Sequence, residues 1–334
     1  MDLIIAVDAG GTKTECLIGT TQGEILAKSV SGPANYQLVG GDGVLRTVSE
    51  LLRTADGYYS SAKRGFEVMW VGVAGIDRPG EREQVTRALQ ALGVSRRVVV
   101  DNDATIALAS GTMGGPGIVV IAGTGSIAFG INENGKRARA GGWGYILGDE
   151  GSAYHIGRMA LSAVTRAADG RGRPTLLSQA IIDHFRIESI DGLVRLAYTD
   201  KLGRRDIANL SVIVAEAATE GDEIAKTILN LAGAELGTAA GAVAKTLGME
   251  RMAFPCVTTG GVFKSGNEVS QVLMRELAKA APLSRLTKPE FPPVAGAYFL
   301  GIRELGQGID EKVIQHARAS LERIESSSHY LGED

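Results

Sequence analysis

The sequence predicts an α/β protein of two domains that share one plan. Three observations support this. The chain has 334 residues, more than the ~250–300 at which a single hydrophobic core stops growing. Apolar strand-like runs alternate with stretches of helical periodicity along its first third, the pattern of a sheet covered by helices. The stretch from Gly117 to Lys136 also repeats the layout of the amino terminus: apolar strand, Gly/Thr bend, second strand, polar Gly turn, third strand.

Taken in order, residues 3–8 read as a strand and 12–19 as a second, with Gly23 as the turn into a third at 24–30. Val44, Leu45, Val48, Leu51 and Leu52 give a helical stripe to 41–53. The run Val68 to Ala74 is a buried strand, and 81–92 is a helix. Val98-Val99-Val100 is a strand ending at Asp101-Asn102-Asp103, and a helix of small residues follows at 104–110. This alternation predicts a mostly parallel sheet.

The second copy begins at Gly117. It passes through a glycine-rich loop, Gly141-Gly-Trp-Gly-Tyr-Ile-Leu-Gly-Asp149, into a helix from about Gly151. From Leu176 to Gly248 nearly everything is helical, with breaks at Asp191-Gly192, Leu202-Gly203 and Gly221-Asp222. A last strand, 254–259, leads to Gly260-Gly261 and a helix at 269–280. Helix returns at 295–305 after Pro292-Pro293, a surface helix spans 309–324, and the final residues are expected to fray.

Composition narrows the function. A 44% apolar content is ordinary for a soluble protein, and 45 glycines imply many tight turns. A formal net charge of −3 argues against a nucleic-acid or polybasic membrane partner. Cys16 and Cys256 are too few and too distant for a disulfide framework or a metal site, so both read as buried small hydrophobes. Met1-Asp2-Leu3 runs into a strand without a basic leader, and the apolar stretch 212–247 is broken by charges. A cytoplasmic protein is expected.

The chemistry concentrates in a few places. Gly10-Gly11-Thr12 lies in a hairpin bend where glycine lets an anion approach backbone N–H groups, and Thr12 and Lys13 add donors. Alone it could be a plain turn, and the P-loop spacing is missing. A second bend, Gly123-Thr124-Gly125-Ser126, makes a paired phosphate site the stronger reading. Gly123-x-Gly125-x-x-Ala128 imitates a dinucleotide fingerprint, but it runs into the hairpin signal Asn132-Glu-Asn-Gly135 rather than a helix.

Asp8 and Asp103 each close a strand at its carboxyl end, where open α/β sheets place ligand-contacting residues. Asp103 could equally be a helix cap, with Asp101 then a loop carboxylate, or Asp101 could be the cap. Trp143 stands among five glycines ahead of Asp149 and Glu150, a setting suited to hydroxyl-rich ligands. The alternative is a capping Asp149 with Trp143 as a wedge. His155 and the Arg171–Pro174 turn read as packed or solvated.

Five ordered segments, A-V-D-A-G-G-T-K-T, G-P-A-N-Y, V-V-D-N-D-A, I-A-G-T-G-S and G-G-W-G-Y-I-L-G-D-E-G-S-A-Y, with a weaker T-G-G-V-F-K-S, resemble the sugar-kinase, actin and Hsp70 superfamily. Within it the chain is similar to N-acetylglucosamine kinases and the BadF/BadG/BcrA/BcrD-type ATPases, from residue 4 to about 305. The resemblance implies two actin-like (ribonuclease H-like) domains, each a mixed sheet flanked by helices, around an interdomain cleft. The first would span 1–112, completed by a C-terminal helix from about 294–334. The second would span 113–293, with a helical insertion at 151–250.

Carried over by matching position, Gly10, Gly11, Thr12, Gly123, Thr124 and Gly125 would cradle the phosphates of ATP. Asp8 would hold Mg²⁺ through water, and Asp103 would be the general base. Asn35, Ser126, Trp143, Gly144, Tyr145 and Asp149, with Asp103, would line the sugar pocket. Gly260, Gly261 and Lys264 would lie near the adenosine, as would Ala217 or Ala218. One departure is Ala74, where N-acetylglucosamine kinases place a serine near the sugar.

The implied activity is ATP-dependent phosphorylation of an amino sugar, first of all N-acetylglucosamine at its 6-OH, by a homodimer. Glucosamine or N-acetylmuramic acid kinases, or a BadF-type ATPase without sugar transfer, are the alternatives. Activator-type ATPases bind an iron–sulfur cluster through paired cysteines, an arrangement to which Cys16 and Cys256 do not belong. A helix-turn-helix regulator would need an added segment ahead of the first strand, and none is expected.

Overall fold

The computed structural model describes residues 2–54, 65–76, 78–199 and 202–329, so the terminal residues expected to fray lie partly outside the described ones. The chain divides into two compact units, Met1–Gly115 with Pro289–Asp334, and Pro116–Lys288.

The first unit is built on strands β1 (Leu3–Ala9), β2 (Thr14–Thr20), β3 (Ile25–Ser31), β4 (Phe66–Val73) and β5 (Ser95–Asn102), in the order β3-β2-β1-β4-β5. The hairpins β1–β2 and β2–β3 are antiparallel, while β1–β4 and β4–β5 are parallel. The sheet is therefore mixed rather than mostly parallel. Alternation of strand and helix sets the parallel half, but the short Gly bends at the start permit only antiparallel hairpins.

Strand periodicity divides the core of this unit between the two sheet faces. Ile5, Val7, Ala9, Met69 and Val71 pack with Val44, Val48 and Leu51 of α1 (Tyr36–Thr54) and Val85 and Leu89 of α2 (Pro79–Gln90). Ile4, Ala6, Val68 and Trp70 pack on the other face with Ile106 of α3 (Asp103–Thr112) and Tyr298 of a carboxyl-terminal helix, Pro293–Glu304. Helix α1 begins five residues earlier than its stripe suggests, because Gly40 (φ 65, ψ 179) kinks it before the regular part. The Tyr298 hydroxyl donates to the Thr20 carbonyl, which pins β2 from beneath.

The second unit repeats the plan with β6 (Gly117–Ala122), β7 (Ser126–Ile131), β8 (Arg137–Gly141), β9 (Pro255–Thr259) and β10 (Arg285–Thr287), in the order β10-β9-β6-β7-β8. Read from β8, this is the first sheet again, with two antiparallel and two parallel pairings in the same places. Its helices are α4 (Ala153–Ala168), α5 (Leu177–Phe185), α6 (Gly192–Tyr198), α7 (Arg204–Thr219), α8 (Glu223–Leu247) and α9 (Glu268–Ala278), with a 3-10 turn at Gly261–Lys264. Helices α10 (Pro293–Glu304) and α11 (Glu311–His329) return to the first unit.

Both cysteines are free and fully buried, and burial pushes each thiol up to about 12. Among the described residues no helix is long and apolar enough to cross a membrane.

Candidate active site

In the first unit the bend Gly10-Gly11-Thr12-Lys13 joins β1 to β2, and Thr12 and Lys13 belong to the bend rather than to the strand. The Gly10 amide donates to the Lys13 carbonyl at 3.1 Å, and a β-carbon on Gly10 would lie 2.8 Å from that oxygen. Gly11, Thr12 and Lys13 are exposed. The Lys13 amine rests on Glu15 at 3.0 Å, and Glu15 is otherwise buried beside Lys28 at 3.5 Å.

Asp8 stands one residue before the end of β1, on the sheet face that α3 and α10 cover. Its neighbour on β4 is Gly72, where a side chain would collide with Ile106 of α3. That small residue brings α3 close to the sheet. The Asp8 carboxyl is pushed up to about 7, chiefly by burial, next by the charges of Asp103 and Glu15, with Lys13 opposing.

Three neighbouring carbonyl and carboxyl groups settle the Asp101-Asn102-Asp103 ambiguity. Asn102 is the cap, its side chain accepting from the Thr105 amide at 3.0 Å. Asp101 is 3% exposed and structural: it accepts from Arg82 Nη1 at 3.2 Å, the Asn102 amide at 2.9 Å and the Thr105 hydroxyl at 3.1 Å. Asp103, first residue of the helix, is thereby spared the capping role.

Asn35 leads into α1. Its Oδ1 accepts from the Gln37 amide at 2.9 Å, and its Nδ2 lies 3.9 Å from where a Gly11 side chain would start. Backbone bonds lace this segment to both strand ends: Ala34 N–H to Gly10 O, Tyr36 N–H to Ala74 O, and Ala74 N–H to Ala9 O, each 2.9 Å. Asn35, Ala74 and Gly11 therefore share one corner.

In the second unit the three-residue bend Gly123-Thr124-Gly125 joins β6 to β7. The Gly123 amide donates to Gly125 O at 2.9 Å, and Gly123 O accepts from the Ala153 amide at 2.8 Å. The same link occurs in the first unit, where Gly10 O accepts from Ala34 ahead of α1. Each bend is thus tied to the amino end of the following helix, where backbone N–H groups favour anions.

Asp149 is 3% exposed and has a positive φ of 63°, rare for a residue with a side chain. It does not cap α4; Ser152 does, accepting from the His155 amide at 3.1 Å. Asp149 instead accepts from the Ser126 amide at 3.2 Å and from Arg204 Nη2 at 2.9 Å. The Ser126 hydroxyl donates to Glu150 O at 2.7 Å. Trp143 and Tyr145 are 65% and 44% exposed, with Arg139 and Arg204 respectively stacked over their rings at 4.9 Å. Gly144, between them, has φ 81°. His155 Nδ1 accepts from the Gly151 amide at 3.1 Å, and burial keeps its pKa low, so it is a neutral packed histidine.

Gly260 has φ 111°, and a β-carbon there would lie 2.3 Å from Ala122 O, which seats it against the base of the second bend. Gly261 and Lys264 are exposed in the turn that follows. Beside that turn is a narrow pocket of about 10 Å³, lined by Ser211 and Ala215 of α7, Val262, Ser265, Gly266 and Glu268 among others. Ala217 and Ala218 are buried in the core and are not among its lining residues. Ser211 and Ala215 are small side chains on a helix, a signal no different in sequence from core packing.

The sequence pattern of the BadF/BadG/BcrA/BcrD ATPase family matches residues 5–301. An N-acetylmuramic acid/N-acetylglucosamine kinase of Clostridium acetobutylicum is 36% identical over 267 residues, covering 80% of this chain and 87% of its own. An N-acetyl-D-glucosamine kinase of Dictyostelium discoideum is 33% identical over 316 residues, covering 90% and 98%. The solved structure of a protein assigned as an N-acetylglucosamine kinase, from Chromobacterium violaceum, matches with a TM-score of 0.67 at 26% identity, over 90% of this chain and 99% of the other. The fold is the actin-like one, a mixed five-stranded sheet flanked by helices in each unit.

Proposed function

The chain belongs to the BadF/BadG/BcrA/BcrD ATPase family, and within it we propose that the protein is an ATP-dependent amino-sugar kinase, with N-acetylglucosamine as the first substrate to test. The observation that carries this reading is the repetition of the glycine bend. Two bends on topologically equivalent hairpins each have their first glycine carbonyl tied to the entry of the next helix. Such a pair supplies backbone donors to a polyphosphate without a P-loop.

Phosphoryl transfer needs mainly positioning and charge neutralisation. In this reading Gly10, Gly11, Thr12, Gly123, Thr124 and Gly125 hold the phosphates, and the adenosine lies along the Gly260–Lys264 turn, beside the narrow pocket that Ser211 lines. Asp103 accepts the proton of the attacking 6-hydroxyl. Asn35, Trp143, Gly144, Tyr145 and Asp149 orient the sugar, its polar groups meeting carboxylate, amide and aromatic faces.

Asp8 suits a hard cation held through water, since a cation would relieve its repulsion with Asp103 and Glu15. Among the described residues no three His, Cys, Asp or Glu side chains form a metal cage, so Mg²⁺ would draw its other ligands from water and phosphate. Bound there, Mg²⁺ would supply charge neutralisation to the polyphosphate.

ADP release measured over a panel of hexoses and amino sugars tests the proposal. N-acetylglucosamine or N-acetylmuramic acid should stimulate it most. Equal ATP hydrolysis with and without every sugar would favour an ATPase that transfers to no sugar.

A further inference from the structure

Arg204 opens α7, and its guanidinium meets three groups of the second unit. Its Nη2 donates to Asp149 Oδ2 at 2.9 Å, its carbon lies 4.9 Å from the centre of the Tyr145 ring, and Nη2 sits 3.1 Å from the point where a Gly125 side chain would begin. The other Asp149 oxygen accepts from the Ser126 amide at 3.2 Å. A Gly125 β-carbon would also come within 2.8 Å of Asp149 Oδ2. Bend, carboxylate, guanidinium and aromatic ring therefore form one contiguous stack.

We propose that Arg204 is a positioning residue that locks the Trp143–Asp149 loop onto the Gly123–Gly125 bend, so that the groups assigned to sugar and to phosphate are held in one register. This rests on the kinase reading above. The physical argument begins with Asp149, a nearly inaccessible carboxylate whose charge requires a partner. The Ser126 amide supplies one hydrogen bond, and Arg204 supplies the countercharge. Arg204 also reaches beyond Asp149: a planar guanidinium can pair with a carboxylate and stack on a ring at once, which an ammonium cannot. Tyr145 is otherwise an exposed side chain on a loop of glycines, in edge contact with Tyr154 at 5.3 Å. Without the guanidinium, the buried charge is left uncompensated beside Gly125, and the loop loses a tie to the bend.

Two measurements test this on the full chain. Hydrogen exchange of the ligand-free protein should show faster exchange in both 123–126 and 142–151 for Arg204→Ala, with β1–β5 unchanged. Exchange in those segments equal to wild type would overturn the proposal. In steady-state kinetics Arg204→Ala should lose about 10²-fold in kcat/KM for the sugar, the scale of a small misplacement of reacting groups, with KM for ATP within about twofold. Arg204→Lys, which restores charge without the stack, should recover about tenfold of that loss. A loss carried by KM for ATP alone, or no recovery with lysine, would also overturn it. A wild-type protein without sugar-dependent turnover would remove the kinase reading instead, and the exchange data would still decide the positioning role.

Discussion

The Asp103 carboxylate opposes the ionisation of Asp8: after burial, it is the strongest influence holding the Asp8 carboxyl near 7 instead of 3.8. They meet because Gly72 lets Ile106 settle onto the sheet, which sets the first turn of α3 over the end of β1. In the proposed kinase the phosphate charge would add to this repulsion, and a cation bound there would offset it.

That pair gives a pH dependence. Between about 4 and 7 the folded chain retains an Asp8 proton that the unfolded chain has lost, so this group's contribution to stability falls as pH rises through that window. Asp8→Asn carries no such penalty. Its melting temperature should match wild type near about pH 4 and exceed it near about pH 8, as followed by circular dichroism. A wild type equal to the variant at the higher pH would refute the assignment. The same substitution should depress turnover, since the charge that would hold the cation is gone.

Asp103→Asn separates chemistry from folding. Asn102 supplies the cap bond to Thr105, so the helix start survives the change. The loss of one first-turn carboxylate costs about 0.3–1 kcal/mol, and the relief of its repulsion with Asp8 offsets this, so stability should change little. Turnover should fall by at least ~10² with ATP affinity retained, as for a removed general base. Stopped-flow or coupled assays with nucleotide titration check this. Near-normal turnover would take Asp103 out of the role.

Gly296 predicts a coupling at a distance. A β-carbon there would lie 2.0 Å from Ile106 O and 2.7 Å from Ser110 N, so α10 rests on the backbone of the helix that carries Asp103. Gly296→Ala should push the two helices apart, destabilising by roughly 1–3 kcal/mol or more and lowering turnover at saturating substrates. Urea unfolding and initial rates measure both. An unchanged urea midpoint would mean the contact is softer than its geometry implies.

The parts of this fold that were legible in sequence are those set by local chemistry. Apolar runs broken by Gly-Gly-Thr and Gly-Thr-Gly gave the hairpins, and their repetition gave the two sheets. Strand direction was less legible, because the alternation of strand and helix does not say which neighbours are antiparallel. The edge strand Arg285–Thr287 has no buried residue and so left no apolar signal. In Asp101-Asn102-Asp103 every side chain can cap a helix, and the contact of Asp101 with Arg82, 19 positions away, together with the local bonds of Thr105, sorted the roles. Arg204 pairs with Asp149 across 55 positions, a relation no local pattern carries. The pocket at Ser211 was invisible for the opposite reason, since small residues on a helix look like core.

That pocket yields the last prediction. Ser211 and Ala215 lie one turn apart on α7 and line one narrow pocket with Ser265, Gly266 and Glu268. If adenosine binds there, side-chain volume at position 211 competes directly with the base or ribose, whereas it is remote in sequence and function from Trp143–Asp149. Ser211→Phe should raise KM for ATP by about tenfold or more, a loss of uniform binding, while leaving KM for the sugar within about twofold. ATP and sugar titrations on the same preparation provide the comparison. A rise in the sugar KM with an unchanged ATP KM would place the adenosine elsewhere and leave this pocket without a nucleotide role.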